Sequence, residues 1–159
     1  MTVVSHSPWE TRAMAERIAA LLEPGDVVLL EGDLGAGKTA FVQGVAAAMG
    51  IEEPVLSPTF VMVREYEAEP VLVHVDVYRL ETPAQVLDLG LEELLDGQRV
   101  VLVEWGDRIR ALVPDRLEIV IELGGSPEER RITVHAEGPR WHRRRTALER
   151  ALSADGGTV

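Results

Sequence analysis

The chain has 159 residues, 46% of them hydrophobic and 27% charged, so it is long enough to form one domain with a buried core. This composition excludes a disordered chain, and the absence of cysteine excludes disulfides, cysteine zinc sites and thiol catalysis. No apolar run approaches the roughly 18 residues of a membrane span and no signal peptide is recognisable, so we expect a soluble, cytoplasmic protein without membrane contacts.

The charge of the chain is negative and unevenly distributed. Sixteen Lys and Arg residues against 27 Asp and Glu residues give a net charge of −11. Residues 138–159 carry five Arg against two acids, a net charge of +3, which leaves −14 for residues 1–137. So acidic a body repels a phosphate backbone, and we expect it not to bind nucleic acid by itself. The basic segment fits either a solvated amphipathic helix, the usual role of charge runs, or a nucleic-acid contact.

The first half of the chain predicts a helix, a buried strand and a second helix. Ser7, Pro8 and Glu10 are typical of an N-cap, a first helical position and a capping box, and the helix continues to Leu22 before Pro24-Gly25. The continuous apolar run at 27–30 indicates a strand buried on both faces. A glycine-rich turn then leads into a helix that ends at Gly50.

The second half predicts strands at 61–66 and 71–78, short helices at 83–89 and 91–95, and a buried strand at 99–103. Apolar and polar residues alternate at 117–123 and 130–136 around a Gly-Gly-Ser-Pro turn, which indicates a hairpin. A final helix is predicted at about 139–152, followed by a frayed end.

The glycine-rich turn fits the phosphate-binding pattern G-x-x-x-x-G-K-[ST], and it lies where that motif must lie, between a buried strand and a helix. Glycines allow backbone N–H groups to approach phosphate oxygens, Lys38 reaches the β- and γ-phosphates, and the Thr39 hydroxyl can bind Mg²⁺. Lys38 is also the only lysine of the chain. Position 40 is an alanine, Ala40, and not a second threonine, so the predicted set does not extend beyond Thr39. We therefore predict nucleotide binding by Asp33, Leu34, Gly35, Ala36, Gly37, Lys38 and Thr39.

The nucleotide is predicted to be ATP. Guanine recognition in P-loop GTPases uses an Asn-Lys-x-Asp loop, but this chain has no asparagine and no second lysine. The candidates for covering the adenine base are Trp9, Thr11 and Arg131 in the loop around Arg130, although Trp9 fits a core aromatic residue equally well.

Two apolar strands end in a carboxylate. Glu104 follows the strand at 99–103 in the Walker-B pattern, and Asp76 follows the apolar run that begins at Val71. Because a carboxylate at a buried strand end is costly unless it is paired or bound to metal, we predict Glu104 as a Mg²⁺ ligand and Asp76 as a catalytic or supporting residue. His74 shares a strand face with Asp76, and a lone histidine there indicates a core or supporting position.

These features predict an α/β fold: a three-layer P-loop NTPase-like domain with a mainly parallel central sheet and a C-terminal antiparallel hairpin. Residues 1–137 are predicted to form the P-loop ATPase domain. Residues 138–159 form a basic helix and tail that belong either to the same domain or to an appendage.

Four motifs occur in order along the chain. They are the phosphate loop at 32–39, Ser57-Pro58-Thr59-Phe60, His74-Val75-Asp76-Val77-Tyr78-Arg79-Leu80 and Val103-Glu104-Trp105. Together they resemble one family, the bacterial TsaE (YjeE) family, the ATPase subunit of tRNA threonylcarbamoyladenosine synthesis. The resemblance covers roughly residues 5–137, and the segment from Pro139 onward matches none of its motifs.

The resemblance implies hydrolysis of ATP in support of the TsaD–TsaB enzyme, which transfers threonylcarbamoyl to adenosine 37 of tRNAs that read codons beginning with A. It implies that Lys38 contacts phosphate, that Thr39 and Glu104 bind Mg²⁺, and that Asp76 lies near the nucleotide. The Ser57–Thr59 segment is similar to a switch loop near the γ-phosphate, so Thr59 is a third candidate catalytic residue besides Lys38 and Asp76. tRNA would be contacted indirectly, through the complex.

Two other functions fit the residues. A P-loop small-molecule kinase would need an acceptor pocket and an Arg-bearing lid, whereas Arg143, Arg144 and Arg145 lie at the terminus. A non-hydrolytic, nucleotide-gated adaptor would bind ATP and a partner without useful turnover. Phosphate release measured with and without partner proteins separates these functions.

Overall fold

The computed structural model describes residues 1–58 and 62–154. Seven strands, five α-helices and one 3₁₀ helix occur in these residues. None of the described helices is both long and apolar enough to cross a membrane. In chain order the elements are β1 (Thr2–Ser5), α1 (Pro8–Ala19), β2 (Val27–Glu31), α2 (Lys38–Ala48), β3 (Val63–Tyr66), β4 (Leu72–Asp76), α3 (Pro83–Asp88), α4 (Leu91–Leu94), β5 (Val100–Glu104), the 3₁₀ helix (Gly106–Leu112), β6 (Arg116–Leu123), β7 (Arg130–Glu137) and α5 (Pro139–Ser153).

The strands form one sheet in the order β1-β7-β6-β2-β5-β4-β3. The four central strands β6, β2, β5 and β4 are parallel, and β1, β7 and β3 pair antiparallel at the two sides. The expected α/β fold with a parallel centre and a C-terminal hairpin is thus confirmed. The carboxyl ends of β2, β4 and β5 meet at one edge of the sheet, where a doubly covered parallel sheet usually binds its ligand.

Helices cover the central strands on both faces, so the domain has three layers. On one face α1, α2 and α5 enclose a core that includes Val28 and Leu30 of β2. On the other face α3, α4 and the 3₁₀ helix enclose a second core that includes Val27 and Leu29. The continuous apolar run of β2 exists because alternate side chains enter different cores.

Some boundaries differ from those expected. The first helix ends at Ala19 and not at Leu22, because the N–H groups of Leu21 and Leu22 bond three residues back in a tighter turn. The third strand begins at Val63, since Met62 has a φ of 65°, and Val61 lies outside the described residues.

The strand predicted at 71–78 ends at Asp76, because its carboxylate accepts a hydrogen bond from the Tyr78 N–H and turns the chain. The expected N-cap at Ser7 is confirmed, since its hydroxyl accepts from the Glu10 N–H. The Glu10 carboxylate, however, accepts from the N–H of His6 and not from that of Ser7, so the reciprocal bond of a capping box is displaced by one residue.

A buried carboxylate attaches α5 to the domain. Asp26 is 1% exposed and accepts two hydrogen bonds from the Arg144 guanidinium, at 2.6 and 2.7 Å, and one from Nε of Arg140 at 3.1 Å. The bond to Asp26 raises the pKa of Arg144 above its usual value. Trp141 is buried beside this cluster, with the Arg144 guanidinium 4.1 Å from its ring centre. The basic helix therefore uses two of its arginines inside the fold.

We expect Arg144→Met to lower the free energy of unfolding by about 2 kcal/mol, less than the roughly 3–5 kcal/mol typical of a broken buried pair, because Arg140 still neutralises Asp26. Arg145→Met is the matched control, because it breaks only the exposed pair with Glu149 and should cost less than about 0.5 kcal/mol. Urea unfolding of both variants measures the difference. Equal midpoints would show that the Asp26 cluster does not hold the helix.

Candidate functional site

The phosphate loop joins β2 to α2 and depends on glycine backbone geometry. Gly35 and Gly37 have φ of 78° and 113°, and Gly37 immediately precedes the first residue of α2. Gly32 has a φ of 144°, and a Cβ there would lie 2.4 Å from the carbonyl oxygen of Ile121 on β6. The loop is thus packed closely against the sheet at one end and bent by left-handed glycines at the other.

Lys38 is buried, with 5% of its surface exposed. Its Nζ donates to the carbonyl oxygens of Gly32 at 2.5 Å and Asp33 at 2.9 Å, and lies 4.3 Å from the ring centre of Trp105. Burial lowers the pKa of Lys38 below its usual value, while the nearby carboxylates, first that of Glu104, act in the opposite direction. The loop therefore holds its ammonium group close to its own backbone.

The two predicted carboxylates lie side by side on neighbouring strands. Asp76 at the end of β4 and Glu104 at the end of β5 are register partners, and each is 4% exposed. The hydroxyl of Thr39 donates to Oε1 of Glu104 at 3.1 Å. A hydroxyl and carboxylates beside a phosphate loop are the oxygen donors that Mg²⁺ takes together with phosphate and water, so the residues fit a magnesium ion.

A cavity of about 370 Å³ lies against these groups. Of the predicted site residues, the structure brings seven together around it, and an adjoining cavity of about 500 Å³ contains Asp33 and Ala36 in its wall. Thr59 lies outside the described residues, whereas its neighbour Ser57 lines the smaller cavity. The lining of the smaller cavity is Leu34, Gly35, Gly37, Lys38, Thr39, Ser57, Asp76, Tyr78, Glu104 and Trp105.

The first turn of α2 supplies one side-chain hydroxyl to the site. Thr39 is the second residue of this helix and lines the smaller cavity. The next residue is Ala40 and not a threonine, and it is half-buried and lines neither cavity. An alanine has no hydroxyl to offer an ion or a phosphate, so position 40 contributes no side-chain ligand to the nucleotide site. The predicted loop residues end at Thr39.

Three predicted base contacts lie elsewhere. Thr11 is buried, and its hydroxyl is hydrogen bonded to that of Ser5 at 2.8 Å. Trp9 is 75% exposed and lines a separate groove between α1, α2 and the 51–56 segment. Arg131 is exposed on β7, opposite Val4 and Glu122. None of the three lines either cavity at the phosphate loop.

Arg130 is the arginine that touches the phosphate loop. Its Nε donates to the carbonyl oxygen of Ala36 at 2.8 Å, and its Nη1 donates to the carbonyls of Pro127 and Glu129. Because successive residues of a strand point to opposite faces, the neighbouring Arg131 points away from the loop. The sequence contains both arginines, and only the register of β7 distinguishes them.

The aromatic wall of the cavity was not predicted. Tyr78 and Trp105 have ring centres 4.7 Å apart, and the Arg108 guanidinium lies within 6 Å of both. Nη1 of Arg108 also donates to the carbonyls of Val77, Tyr78 and Leu80, which fixes the turn after β4. Trp105 is held in this wall by the segment after β5, because Gly106 packs so closely against β2 that a Cβ there would lie 2.5 Å from Cβ of Leu29.

The chain matches a family model over residues 5–132, and the description of that family is "Threonylcarbamoyl adenosine biosynthesis protein TsaE". The tRNA threonylcarbamoyladenosine biosynthesis protein TsaE of Bacillus subtilis is 49% identical over 137 residues, covering 85% of each chain. The protein of the same name from Streptomyces coelicolor is 41% identical over 138 residues, covering 82% of this chain and 93% of its own. The crystal structure of B. subtilis YdiB superposes with a TM-score of 0.81 at 41% identity, covering 94% of both chains.

Proposed function

Since the chain belongs to the TsaE family, we propose that it is a cytoplasmic, Mg²⁺-dependent ATPase required to form threonylcarbamoyladenosine at position 37 of tRNAs that read codons beginning with A. Its relatives carry the name of that biosynthesis, which supports the pathway. The observation that supports ATP chemistry is the convergence of Lys38, Thr39 and Glu104 on one cavity at the carboxyl edge of the sheet.

The phosphate loop is the proposed site of the triphosphate. Backbone N–H groups of the loop would surround the phosphates at the positive end of α2, and the Lys38 ammonium would leave the carbonyls of Gly32 and Asp33 for the β- and γ-phosphates. Thr39 and Glu104 hold the magnesium ion, which neutralises charge on the phosphates when bound. The assignment of Trp9, Thr11 and Arg131 to the base stays a prediction.

Asp76 is proposed as the residue that orients the attacking water. Its carboxylate lines the cavity beside Glu104, and the N–H of Tyr78 already fixes Oδ1 at 2.8 Å. A carboxylate fixed at the edge of the phosphate site can accept a hydrogen bond from a water molecule and so orient it. Positioning of this kind, together with electrostatic stabilisation, supplies most of the catalysis in phosphoryl transfer.

We expect Thr39→Ala and Glu104→Ala to weaken Mg²⁺-dependent hydrolysis about 10²-fold or more, because each removes an oxygen donor to the ion. Nucleotide binding in EDTA should change by less than about threefold, since the loop N–H groups and Lys38 remain. Phosphate release over a Mg²⁺ titration, together with calorimetric ATP binding in EDTA, measures both quantities. An unchanged Mg²⁺ midpoint in both variants would reject the metal assignment.

We further propose that the chain acts with proteins of the TsaD and TsaB type and meets tRNA only through them. A body of net charge −14 over residues 1–137 agrees with indirect contact, because it repels RNA. Ser57 lines the cavity two residues before the proposed switch residue Thr59, so a partner that contacts this segment can sense the γ-phosphate. Hydrolysis by the chain alone is then slow and rises when the partner binds.

Reconstitution of tRNA threonylcarbamoylation with purified TsaD and TsaB type proteins, with and without this chain, tests the function. We expect multiple-turnover modification only when the chain and ATP are both present. Modification that runs equally well without the chain would contradict the proposal. Phosphate released to water distinguishes an ATPase from a kinase, and modification supported by a non-hydrolysable ATP analogue would indicate an adaptor.

A further inference from the structure

We infer that His74 is a positioning residue that orients the Glu104 carboxylate, so that one oxygen is held by the protein and the other is presented to the magnesium ion. The inference rests on the proposed function, because it concerns the ion at the phosphate loop. It adds a residue from the middle of β4 that lines neither cavity at the loop.

The hydrogen bond between the two side chains has a defined direction. His74 is fully buried, and its Nε2 lies 2.8 Å from Oε1 of Glu104. A carboxylate only accepts hydrogen bonds, so the proton lies on Nε2 and the imidazole donates. Nδ1 has no hydrogen-bond partner among the described residues, and this suits the same tautomer, because an unpaired lone pair costs less than an unpaired N–H.

The two oxygens of Glu104 differ in their surroundings. Oε1 accepts from Nε2 of His74 and from the hydroxyl of Thr39 at 3.1 Å, which uses both of its lone-pair directions. No hydrogen bond to Oε2 is formed within the described part of the chain, and Glu104 lines the cavity. The donor pair therefore fixes the rotation of the carboxylate and leaves Oε2 for a ligand.

The position of His74 in the sheet supports a role beyond packing. Leu72, His74 and Asp76 share one strand face, and Leu72 belongs to the core beneath α1 and α2. An apolar residue at position 74 would continue this core without burying an imidazole with one unpaired nitrogen. The cost of the imidazole is offset by the charge-assisted bond to Glu104, which an apolar residue cannot make.

The experiment compares His74→Leu, which fills the space without a donor, with His74→Gln, whose amide nitrogen reaches about as far as Nε2. Binding of Mn²⁺ to the chain with a non-hydrolysable ATP analogue is measured by electron paramagnetic resonance. We expect His74→Leu to weaken Mn²⁺ binding about 10–100-fold, as loss of a residue supporting a metal ligand usually does, and His74→Gln to restore most of it. Binding of the analogue in EDTA should stay within about twofold of the wild type.

The exposed His135 on β7 supplies the control, because His135→Leu should leave Mn²⁺ binding unchanged. If His74→Leu does not fold, His74→Asn replaces it with the same expectation, since its shorter amide does not reach Glu104. Normal Mn²⁺ affinity in His74→Leu, or an equal loss in the Leu and Gln variants, would overturn the positioning role. A wild-type chain that binds the analogue but no Mn²⁺ would overturn the magnesium part of the proposed function and this inference with it.

Discussion

Lys38→Ala is expected to lower ATP turnover by about 10²–10³-fold, the usual cost of removing one group that stabilises the charge of a transition state. Lys38 is the only lysine in the chain, and its buried Nζ is held by two neutral carbonyl groups beside the loop. Truncation removes the proposed charge partner of the phosphates and leaves the carbonyls of Gly32 and Asp33 without their donor. Phosphate release and calorimetric binding of an ATP analogue measure the two consequences.

Lys38→Arg tests whether any positive charge suffices. The planar guanidinium is larger than the ammonium and must fit beside the Trp105 ring, so we expect it not to restore turnover. Arg150→Ala, a change at an exposed cation of α5, is the control and should leave turnover within about twofold of the wild type. Wild-type turnover in Lys38→Ala would refute the phosphate site.

Gly44→Leu is expected to destabilise the domain by about 4 kcal/mol or more, although leucine favours a helix over glycine by nearly 1 kcal/mol. Gly44 lies where α2 crosses α1, and a Cβ there would meet the carbonyl oxygen of Arg12 at 2.5 Å and Cβ of Ala15 at 2.8 Å. The carbonyl belongs to helix backbone, so relief requires the helices to separate. Steric overlap therefore outweighs helix propensity.

Urea unfolding of Gly44→Leu measures this cost, and Ala47→Gly at an exposed position of the same helix measures the propensity term alone. The latter should cost about 1 kcal/mol. Because α2 begins at Lys38, a displaced helix should also weaken ATP-analogue binding in the folded fraction. A Gly44→Leu variant more stable than the wild type would show that the crossing is looser than the structure indicates.

Local patterns were sufficient for most of the fold. Continuous apolar runs identified β2 and β5, and cap residues identified the start of α1, since these signals depend on neighbours in the sequence. The first strand, β1, was missed because it has four residues and is stabilised by a distant partner: Thr2 pairs with Thr133 of β7. A short edge strand has too few residues to show a period.

The site residues likewise divide into those that a local sequence pattern predicts and those that depend on how distant strands pair. Lys38 and Thr39 follow from a contiguous motif, and Glu104 from its place at the end of an apolar strand. The choice between Arg130 and Arg131 depends on strand register, because a shift of one residue exchanges the two faces. The bond between His74 and Glu104 joins two strands 30 residues apart, and no local pattern specifies such a pair.

The strand order also determines when the phosphate loop can be completed during synthesis. Residues of β6 and β7 contact the loop on both sides. The carbonyl of Ile121 lies against Gly32, and Arg130 donates a hydrogen bond to the carbonyl of Ala36, which lies 94 residues earlier in the chain. At roughly 5–20 residues per second, a ribosome needs about 5–20 s to make the intervening segment. During that interval the nascent chain carries the whole G-x-x-x-x-G-K-[ST] motif without the sheet edge that shapes it. The loop therefore reaches its folded geometry only when the last strand of the domain has paired, and not when the motif itself is synthesised.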